Sequence, residues 1–335
     1  MKRKKVTMGD IAEALGISKN AVSLALAGKE GISETLRKQV LQKADEMHYE
    51  REEKAQGTII ALIPRRIAPA MGSGFFYQSL CFEMETYARK LGYLLILCSV
   101  SEEEEDALLP HPILRQIPCV GVLTIGNFSK AYCKMIQDTG LRYAMVDQYY
   151  DSIAVDSVNT DNSSAGYVMT EHLIQMGHKN IQFFGPARKT SSQADRWNGY
   201  KRAMRDYGLP ILHNPFIDVP DKDSVHEYEF VKSALDALPE LPTAFVCGHD
   251  LTAKHVMDIL AQRGLHCPED FSLVGFDNIQ NPNIAPTNLT SYRTPIEKIA
   301  VAAVEMVLDD RLIHPHRTLF FGEIIYRGSV RKINQ

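Results

Sequence analysis

The apolar positions near the N-terminus recur at the spacing of three short amphipathic helices. Thr7 is placed to cap the first helix with Asp10 in the capping-box position, and Gly16 fits a left-handed end for it. Ser18 is a suitable N-cap for the second helix, and Ser33 starts the third. The residues expected to face inward are Met8, Ile11, Ala12, Leu15, Val22, Ala25, Leu26, Leu36, Val40, Ala44 and Met47. Such helices form a compact bundle, and the glycine-containing turn between the first two is typical of a helix-turn-helix.

From Thr58 onward the pattern changes to continuous apolar runs that alternate with amphipathic stretches. Buried strands are predicted at 58–64, 93–100, 120–126, 143–148, 181–186, 243–248 and 271–276, and helices at 78–91, 165–177, 192–207, 251–263 and 296–312. This alternation predicts an α/β fold with parallel sheets. The length of the segment favours two lobes over a single sheet. The charged stretch 50–57 is predicted to be a linker, and the acidic run 101–106 a solvated loop.

Composition excludes several classes of protein. The chain has 335 residues, 45% of them hydrophobic, which suits two or three domains with a sizeable core. No apolar run reaches the ~20 residues of a membrane helix, and the N-terminus lacks the apolar region of a signal peptide. The six cysteines form no C-x-x-C pair, which argues against a zinc site or a disulfide framework. We expect a cytoplasmic protein that binds no metal or cofactor.

The formal net charge of −4 conceals an asymmetry. Residues 1–48 hold nine Lys/Arg and six Asp/Glu, a balance of +3, whereas the remainder has a balance of −7. A small basic head on an acidic body indicates that a polyanion is met at one end only. An ordinary helical hairpin could share the turn at Gly16, but the basic charge and the N-terminal position favour a DNA-binding head.

Three classes of function remain to be compared. A ligand-controlled DNA-binding regulator fits both the head and the α/β body. An enzyme on an α/β scaffold is disfavoured, because the sequence has no Walker loop, no G-x-S-x-G, no H-E-x-x-H and no complete G-x-G-x-x-G. A stand-alone ligand carrier is disfavoured by the helix-turn-helix head. We therefore expect no catalytic residues.

Several ordered blocks of the sequence resemble the LacI/GalR type of transcriptional regulator. The head carries VTMGDIAEALGISKNAVSLALAGKEGISETLRKQVLQKADEMHY, and the body carries VNTDNSSAG, EHLIQMGHKNIQFFGP, DRWNGYKRAM, PEDFSLVGFDN and APTNLTSYRTP. The resemblance implies a two-lobed, periplasmic-binding-protein-like body with a small effector in the cleft. It implies a head at 1–49, a linker at 50–57, a first lobe at 58–158 and 291–320, and a second lobe at 159–290 and 321–335. The three crossings between lobes are expected near Val158, Thr290 and Phe320.

In the head, the resemblance places Lys19 and Asn20 where the family reads base edges; Lys can donate to guanine, and Asn can pair with adenine. The hydroxyl of Ser23 and the helix starts at Thr7 and Ser18 are expected to contact phosphate. Leu24 either faces a base, where it can touch a thymine methyl group, or packs within the bundle. Residues 50–57 contain no leucine for the minor-groove wedge that the family's hinge helix carries. We therefore expect effector binding in the body to be coupled directly to the DNA-binding head through a short linker. The geometry of the dimer would then set the spacing of the DNA half-sites.

In the body, the resemblance implies a polar effector site with an aromatic wall. Its expected members are Phe75, Phe76, Tyr77, Asp147, Arg196, His249 and Asp277. Arg196 can hold vicinal hydroxyls with a fork of donors, and Asp277 follows a strand, where open α/β sheets bind ligands. His249 is either a ligand residue or a structural histidine. Asp250 is expected to cap the next helix, and Asp161 is either a cap or a cleft residue.

Further features of the body stay open at this point. Trp197, on an amphipathic helix, is expected to pack in the core, with stacking on the ligand as the alternative. A sugar or sugar phosphate is the effector that the resemblance favours, with a purine or nucleoside, or a protein corepressor, as alternatives. The resemblance implies repression of transcription at operator DNA as the default function. The C-terminus carries no leucine heptads, so a symmetric homodimer is expected.

Overall fold

The chain divides into two compact units, and the boundary between them lies within the predicted linker. The computed structural model describes residues 6–47, 49, 55–67, 73–188, 190–214, 227–309 and 314–333. One unit spans Met1–Lys54 and the other Ala55–Gln335. Most of the predicted linker, 50–54, lies outside the described residues.

The N-terminal unit is the predicted three-helix bundle. Its helices are α1 (Met8–Leu15), α2 (Lys19–Leu26) and α3 (Glu34–Glu46). Thr7 and Asp10 form a reciprocal capping box, while Gly16 adopts φ +64° and ends α1. Ser18 caps α2 through the Ala21 amide. These local signals set the helix boundaries, and a small core holds the helices together: Ile11, Ala12, Val22, Ala25, Val40 and Ala44.

The larger unit alternates strands and helices along almost its whole length. Its strands are β1 (Thr58–Pro64), β2 (Leu94–Val100), β3 (Gly121–Ile125), β4 (Tyr143–Val146), β5 (Asp156–Thr160), β6 (Ile181–Phe184), β7 (Ala244–Cys247), β8 (Ser272–Phe276), β9 (Thr290–Arg293), β10 (Arg317–Phe320) and β11 (Glu323–Ile325). Its helices are α4 (Ser73–Lys90), α5 (Glu102–Asp106), α6 (Ile113–Gln116), α7 (Lys130–Asp138), α8 (Asn162–Gln175), α9 (Ser191–Asp206), α10 (Glu227–Asp236), α11 (Asp250–Gln262) and α12 (Ile296–Leu308).

Two separate sheets define the two lobes. The first lobe contains a parallel sheet in the order β10-β5-β4-β3-β1-β2, and the second lobe contains a sheet in the order β11-β9-β8-β7-β6. Only the short β11 runs antiparallel to its neighbour among the described strands. The strands β1, β3, β4, β6, β7 and β8 were predicted because their largely apolar runs suit burial on both faces, and the structure buries them so.

The chain crosses between the lobes three times, but two crossings lie slightly later than predicted. Val158 lies inside β5, paired with Val146 and Thr318 of the first sheet, and the crossing follows Thr160. Thr290 starts β9, paired with Val274 of the second sheet, so residues 291–293 do not belong to the first lobe. The third crossing follows Phe320 at the end of β10. These strands carry polar residues on both faces, so their hydrophobic pattern did not reveal them.

The acidic run at 101–106 was predicted to be a solvated loop, but it forms the short helix α5 with its N-cap. Ser101 and Glu104 form its capping box. Glu105 is only 5% exposed. Its carboxylate accepts from Arg66 Nη1 at 2.6 Å and from the Ser129 amide at 2.6 Å. A distant arginine therefore allows this carboxylate to be buried, which the run of acids by itself could not show.

Candidate effector cleft and DNA-binding surface

The helix-turn-helix presents the predicted polar side chains on its surface. Lys19, Asn20 and Ser23 are exposed on α2, and Leu24 is half-buried. A Cβ atom added at Gly31 would lie 3.6 Å from Leu24 Cδ1, so this leucine packs towards the loop that follows α2. The lysine and asparagine side chains are thus exposed, whereas Leu24 lies half-buried beside the loop that follows α2.

A residue that the sequence analysis missed holds the end of α2. Arg37, on α3, donates from Nη2 to the carbonyl oxygen of Lys29 at 2.7 Å and from Nη1 to that of Ala25 at 3.4 Å. These carbonyls belong to the last turn of α2 and to the loop beyond it. The arginine therefore sets the angle between α2 and α3 through contacts that a local pattern does not display.

In the larger unit, Arg196 lies at the centre of a buried polar cluster. It projects from α9 and is 6% exposed. Its Nε donates to Asn162 Oδ1 at 2.8 Å, its Nη1 to the Gly248 carbonyl at 2.6 Å, and its Nη2 to Asp277 Oδ1 at 3.5 Å. The guanidinium carbon also lies 4.6 Å from the centre of the Phe276 ring. Three elements thus fix the direction of this fork of donors.

Asp147 provides the facing carboxylate from the first lobe. Its Oδ2 accepts from the Tyr77 hydroxyl at 2.8 Å, and its Oδ1 accepts from the Ser192 hydroxyl at 3.1 Å. Tyr77 belongs to α4 of the same lobe, whereas Ser192 lies in the first turn of α9 in the second lobe. The aspartate therefore joins the two lobes at the cleft.

Both cleft aspartates follow a strand in a strained backbone conformation. Asp147 comes directly after β4 with φ +58°, and Asp277 comes directly after β8 with φ +93°. Non-glycine residues adopt positive φ at a cost, and such residues cluster at functional sites. The carboxyl ends of parallel strands are also where open α/β sheets bind ligands. The strain therefore turns two carboxylates towards the same space.

Burial changes the proton affinities in this cluster. Desolvation raises the pKa of Asp147 to about 6, although Arg196 and the hydroxyl of Tyr77 act in the opposite direction. Burial, together with the charge of Asp147, raises the pKa of Tyr77 well above its ordinary value. The phenol therefore stays a hydrogen-bond donor, and the cluster is a water-poor site in which hydrogen bonds are strong.

Gln193 adjoins this cluster, because it shares the Gly248 carbonyl with Arg196. Gln193 Nε2 donates to the Gly248 carbonyl at 3.2 Å. Its Oε1 is buried and has no hydrogen-bond partner among the described residues. A buried amide oxygen of this kind can accept a proton donor from a bound molecule. Gln193 was not predicted, and the only signal for it was the unusually polar first turn of α9.

The predicted aromatic wall is divided between surface, core and cleft. Phe75 is 41% exposed, whereas Phe76 is buried in the core of the first lobe, edge-on to Tyr77 at 5.0 Å. Tyr77 alone of the three reaches the polar cluster, through its hydroxyl. Trp197 stacks on Tyr200 at 5.0 Å in the core of the second lobe, as predicted.

The residues after β7 differ from the prediction. His249, not Asp250, is the N-cap of α11, because its Nδ1 accepts from the Thr252 amide at 3.2 Å. Asp250 is the first residue of the helix and is 1% exposed. Its carboxylate accepts from the Ser291 hydroxyl at 2.7 Å and from the Ile279 amide at 2.8 Å. It therefore ties the loop after β8 to α11.

Asp161 acts as a helix cap at the first crossing, since its Oδ1 accepts from the Ser164 amide at 2.9 Å.

Within the described ranges, no group of three His, Cys, Asp or Glu residues is placed to hold a metal ion. None of the described helices is long and apolar enough to cross a membrane.

Comparisons with known proteins match both units of the chain. Residues 7–52 match the profile of bacterial regulatory proteins of the lacI family, and residues 170–330 match that of a periplasmic binding protein-like domain. The chain is 25% identical to the HTH-type transcriptional repressor PurR of Actinobacillus pleuropneumoniae serotype 3 (strain JL03), over 98% of this chain and 99% of the relative.

Solved structures show the same fold over the full length. The lac repressor dimer bound to operator and the anti-inducer ONPF gives a TM-score of 0.74 at 18% identity, over 98% of this chain and 100% of that one. The complex of the transcriptional regulator CelR with cellobiose gives a TM-score of 0.71 at 20% identity, over 97% and 100%. The two profiles thus assign the N-terminal unit to the lacI family of bacterial regulatory proteins and the larger unit to the periplasmic binding protein-like domains.

Proposed function

We propose that this protein is a ligand-responsive transcriptional repressor that binds operator DNA as a homodimer and takes a small effector between its two lobes. The observation that carries the proposal is the Asp147–Ser192 contact beside Arg196, which links a polar cluster to the relative position of the lobes. A ligand that binds such a cluster differently in two lobe arrangements shifts their populations. The protein is proposed to work in the cytoplasm, where bacterial DNA lies, and to catalyse no reaction.

The exposed face of α2 supports DNA binding. Lys19 and Asn20 follow the cap at Ser18, so they lie at the N-terminal end of the helix that such motifs insert into the major groove. The net charge of +3 over residues 1–48 favours a polyanion. We assign base contacts to Lys19 and Asn20 and phosphate contacts to Thr7, Ser18 and Ser23.

The chemistry of the cleft supports an effector rich in hydroxyl groups. Carboxylates at Asp147 and Asp277 and the amide oxygen of Gln193 accept hydrogen bonds, while Arg196 donates them. A sugar offers both donors and acceptors at short spacing. The complex of the related regulator CelR with cellobiose is in line with this choice. We therefore propose a sugar-like effector, held by Asp147, Arg196 and Asp277 with Tyr77 beside them.

The exposed apolar edge of the first lobe supports a homodimer. Phe82 is 63% exposed, Leu94 56% and Leu97 48%. Leu94 and Leu97 lie on β2, which is the edge strand of the first sheet, and Phe82 lies on the neighbouring helix α4. Leu94 and Leu97 point to opposite faces of the sheet, so the exposed apolar side chains follow its open edge, and an unpaired edge of this kind is a site for association with another chain. We assign this surface to a second copy of the chain.

Fluorescence anisotropy with a labelled duplex tests the proposal. The duplex is the promoter region next to the gene, titrated at fixed salt with and without cellobiose, ribose or guanosine. We expect specific binding to the promoter duplex, and we expect one of the sugars to change its affinity. Lys19→Ala and Asn20→Ala should reduce this specific binding but leave binding to random DNA unchanged. A response to guanosine alone would replace the sugar with a nucleoside. Equal affinity for promoter and random duplexes would contradict the repressor function itself.

A further inference from the structure

Two residues outside the proposed effector cluster join the lobes. Tyr149 lies in the loop after β4 of the first lobe, and Asp195 lies on α9 of the second lobe. The Tyr149 hydroxyl lies 2.9 Å from Asp195 Oδ1 and 2.8 Å from Oδ2, so one donor is shared by both carboxylate oxygens. Because the pair lies two residues from Asp147 and three from Ser192, the first turns of α9 meet residues 147–149 at two points.

A third residue holds the tyrosine in place. The Arg317 guanidinium, from the start of β10 in the first lobe, lies 3.4 Å above the Tyr149 ring. Its Nη2 also pairs with Asp151 at 3.0 Å. A cation over an aromatic face is attracted by the ring, so the ring is fixed in the direction that points its hydroxyl across the cleft. We call Tyr149, Arg317 and Asp195 the clasp.

The partial burial of the clasp strengthens the hydrogen bond between Tyr149 and Asp195. Burial raises the pKa of the Asp195 carboxyl, and Tyr149 and the Arg317 charge counteract that shift. Burial also raises the pKa of Tyr149 above its ordinary value. The contact is thus partly withdrawn from water, with a neutral donor on one lobe and a carboxylate on the other. A hydrogen bond to a charged group is among the stronger ones in proteins.

We propose that the clasp holds the two lobes together without an effector and so sets how much of the protein is closed before ligand binds. Tyr149 and Asp195 are positioning residues, because they contact each other outside the proposed effector cluster. An effector that favours the closed arrangement then binds a form that is already populated, and its apparent affinity scales with that population. This regulatory meaning rests on the proposed function, whereas the closure itself does not.

Hydrogen–deuterium exchange on the full-length, ligand-free chain tests the clasp. Tyr149→Phe removes the hydroxyl but keeps the ring under Arg317. Tyr207→Phe is the matched control, because the Tyr207 hydroxyl also meets a carboxylate, Glu171 Oε1 at 2.8 Å, but within the second lobe. We expect exchange at residues 147–150 and 191–196 to accelerate about 10- to 100-fold in Tyr149→Phe. The control should exchange like the unaltered protein.

A second variant protects the test against local effects of one substitution. Asp195→Asn removes the charge from the opposite lobe and should accelerate exchange in the same two segments. Exchange in either variant that matches Tyr207→Phe would overturn the clasp, as would an acceleration confined to the lobe that carries the substitution. Binding of the promoter duplex by the unaltered protein is measured in parallel. If the unaltered protein does not bind the promoter duplex, the repressor function is contradicted, but the exchange result for the clasp still stands.

Discussion

Arg196 and Asp277 meet inside the second lobe with 3.5 Å between Nη2 and Oδ1, and each is about nine-tenths buried. This distance is long for a charge-assisted hydrogen bond. The stronger contacts of Arg196 go to Asn162 and to the Gly248 carbonyl. The arginine is therefore anchored by neutral acceptors, and its side towards Asp277 is the one that a ligand hydroxyl can join without breaking a short bond.

Replacing Arg196 should weaken effector binding. Arg196→Lys keeps the charge but loses the fork that reaches Asn162, Gly248 and Asp277 together. We expect the effector to bind at least about tenfold more weakly, which corresponds to ~1.4 kcal/mol. Isothermal titration calorimetry with the best ligand of the anisotropy screen measures this change. The control is Arg202→Lys, on the same helix, where the guanidinium lies exposed over Tyr167. Equal weakening in both variants would show that helix α9 has been disturbed in general.

Gly199 should be intolerant of any side chain, because α8 and α9 pack backbone to backbone at this point. A Cβ atom at residue 199 would overlap the carbonyl oxygen of Ser163 and approach the Tyr167 amide within 2.6 Å. Gly199→Ala should therefore lower the free energy of unfolding by about 2 kcal/mol or more and displace α9 with Arg196. Urea denaturation measures the free energy of unfolding. Asn198→Ala, at the exposed neighbouring position, should change stability by less than ~0.5 kcal/mol. A stable Gly199→Ala with normal ligand binding would contradict this packing.

Asp250 should make stability depend on pH. Burial and the charge of Asp277 raise the pKa of Asp250 from 3.8 to about 8 in the folded protein. The folded state then binds a proton that the unfolded chain has already released. This contribution to stability is complete below about pH 4 and is lost as pH rises towards 8, by up to ~1.4 kcal/mol per pH unit.

Thermal unfolding between pH 5 and pH 8 measures that slope. Asp250→Asn cannot titrate, so it should flatten the decline at the higher pH values. Asp258→Asn, on the exposed side of the same helix and paired with Lys254 at 2.6 Å, serves as the control and should keep the slope. The same slope in the unaltered protein and in Asp250→Asn would assign the pH dependence to another group.

Introducing a charge on the edge strand should disrupt the proposed dimer. Leu97→Glu places a carboxylate on the exposed side of β2, where burial against a second copy would cost several kcal/mol. Sedimentation velocity should then show a monomer at concentrations where the unaltered protein is a dimer. Leu241→Glu, also at an exposed leucine but in the second lobe, should sediment like the unaltered protein. A monomeric unaltered protein, or a dimer that survives Leu97→Glu, would contradict this interface.

The sequence by itself determined the features that depend on neighbouring residues. The caps at Thr7, Ser18 and Ser33 and the stop at Gly16 are local hydrogen bonds or backbone conformations, so their residue types reveal them. The apolar strands β1 and β3 were predictable for a similar reason, since burial on both faces demands a continuous apolar run. Arg196, Asp147 and Asp277 came from the family resemblance, and the structure places them in one cluster.

Only the tertiary structure decided how distant polar groups are paired. The sequence shows neither that Glu105 is buried by Arg66 nor that His249 displaces Asp250 as the cap of α11. Tyr149 and Asp195 are separated by 46 positions, and they meet because one follows a strand of the first sheet while the other lies on a helix of the second lobe. Each such pair depends on how the two sheets face each other, and no periodicity along the chain encodes that arrangement.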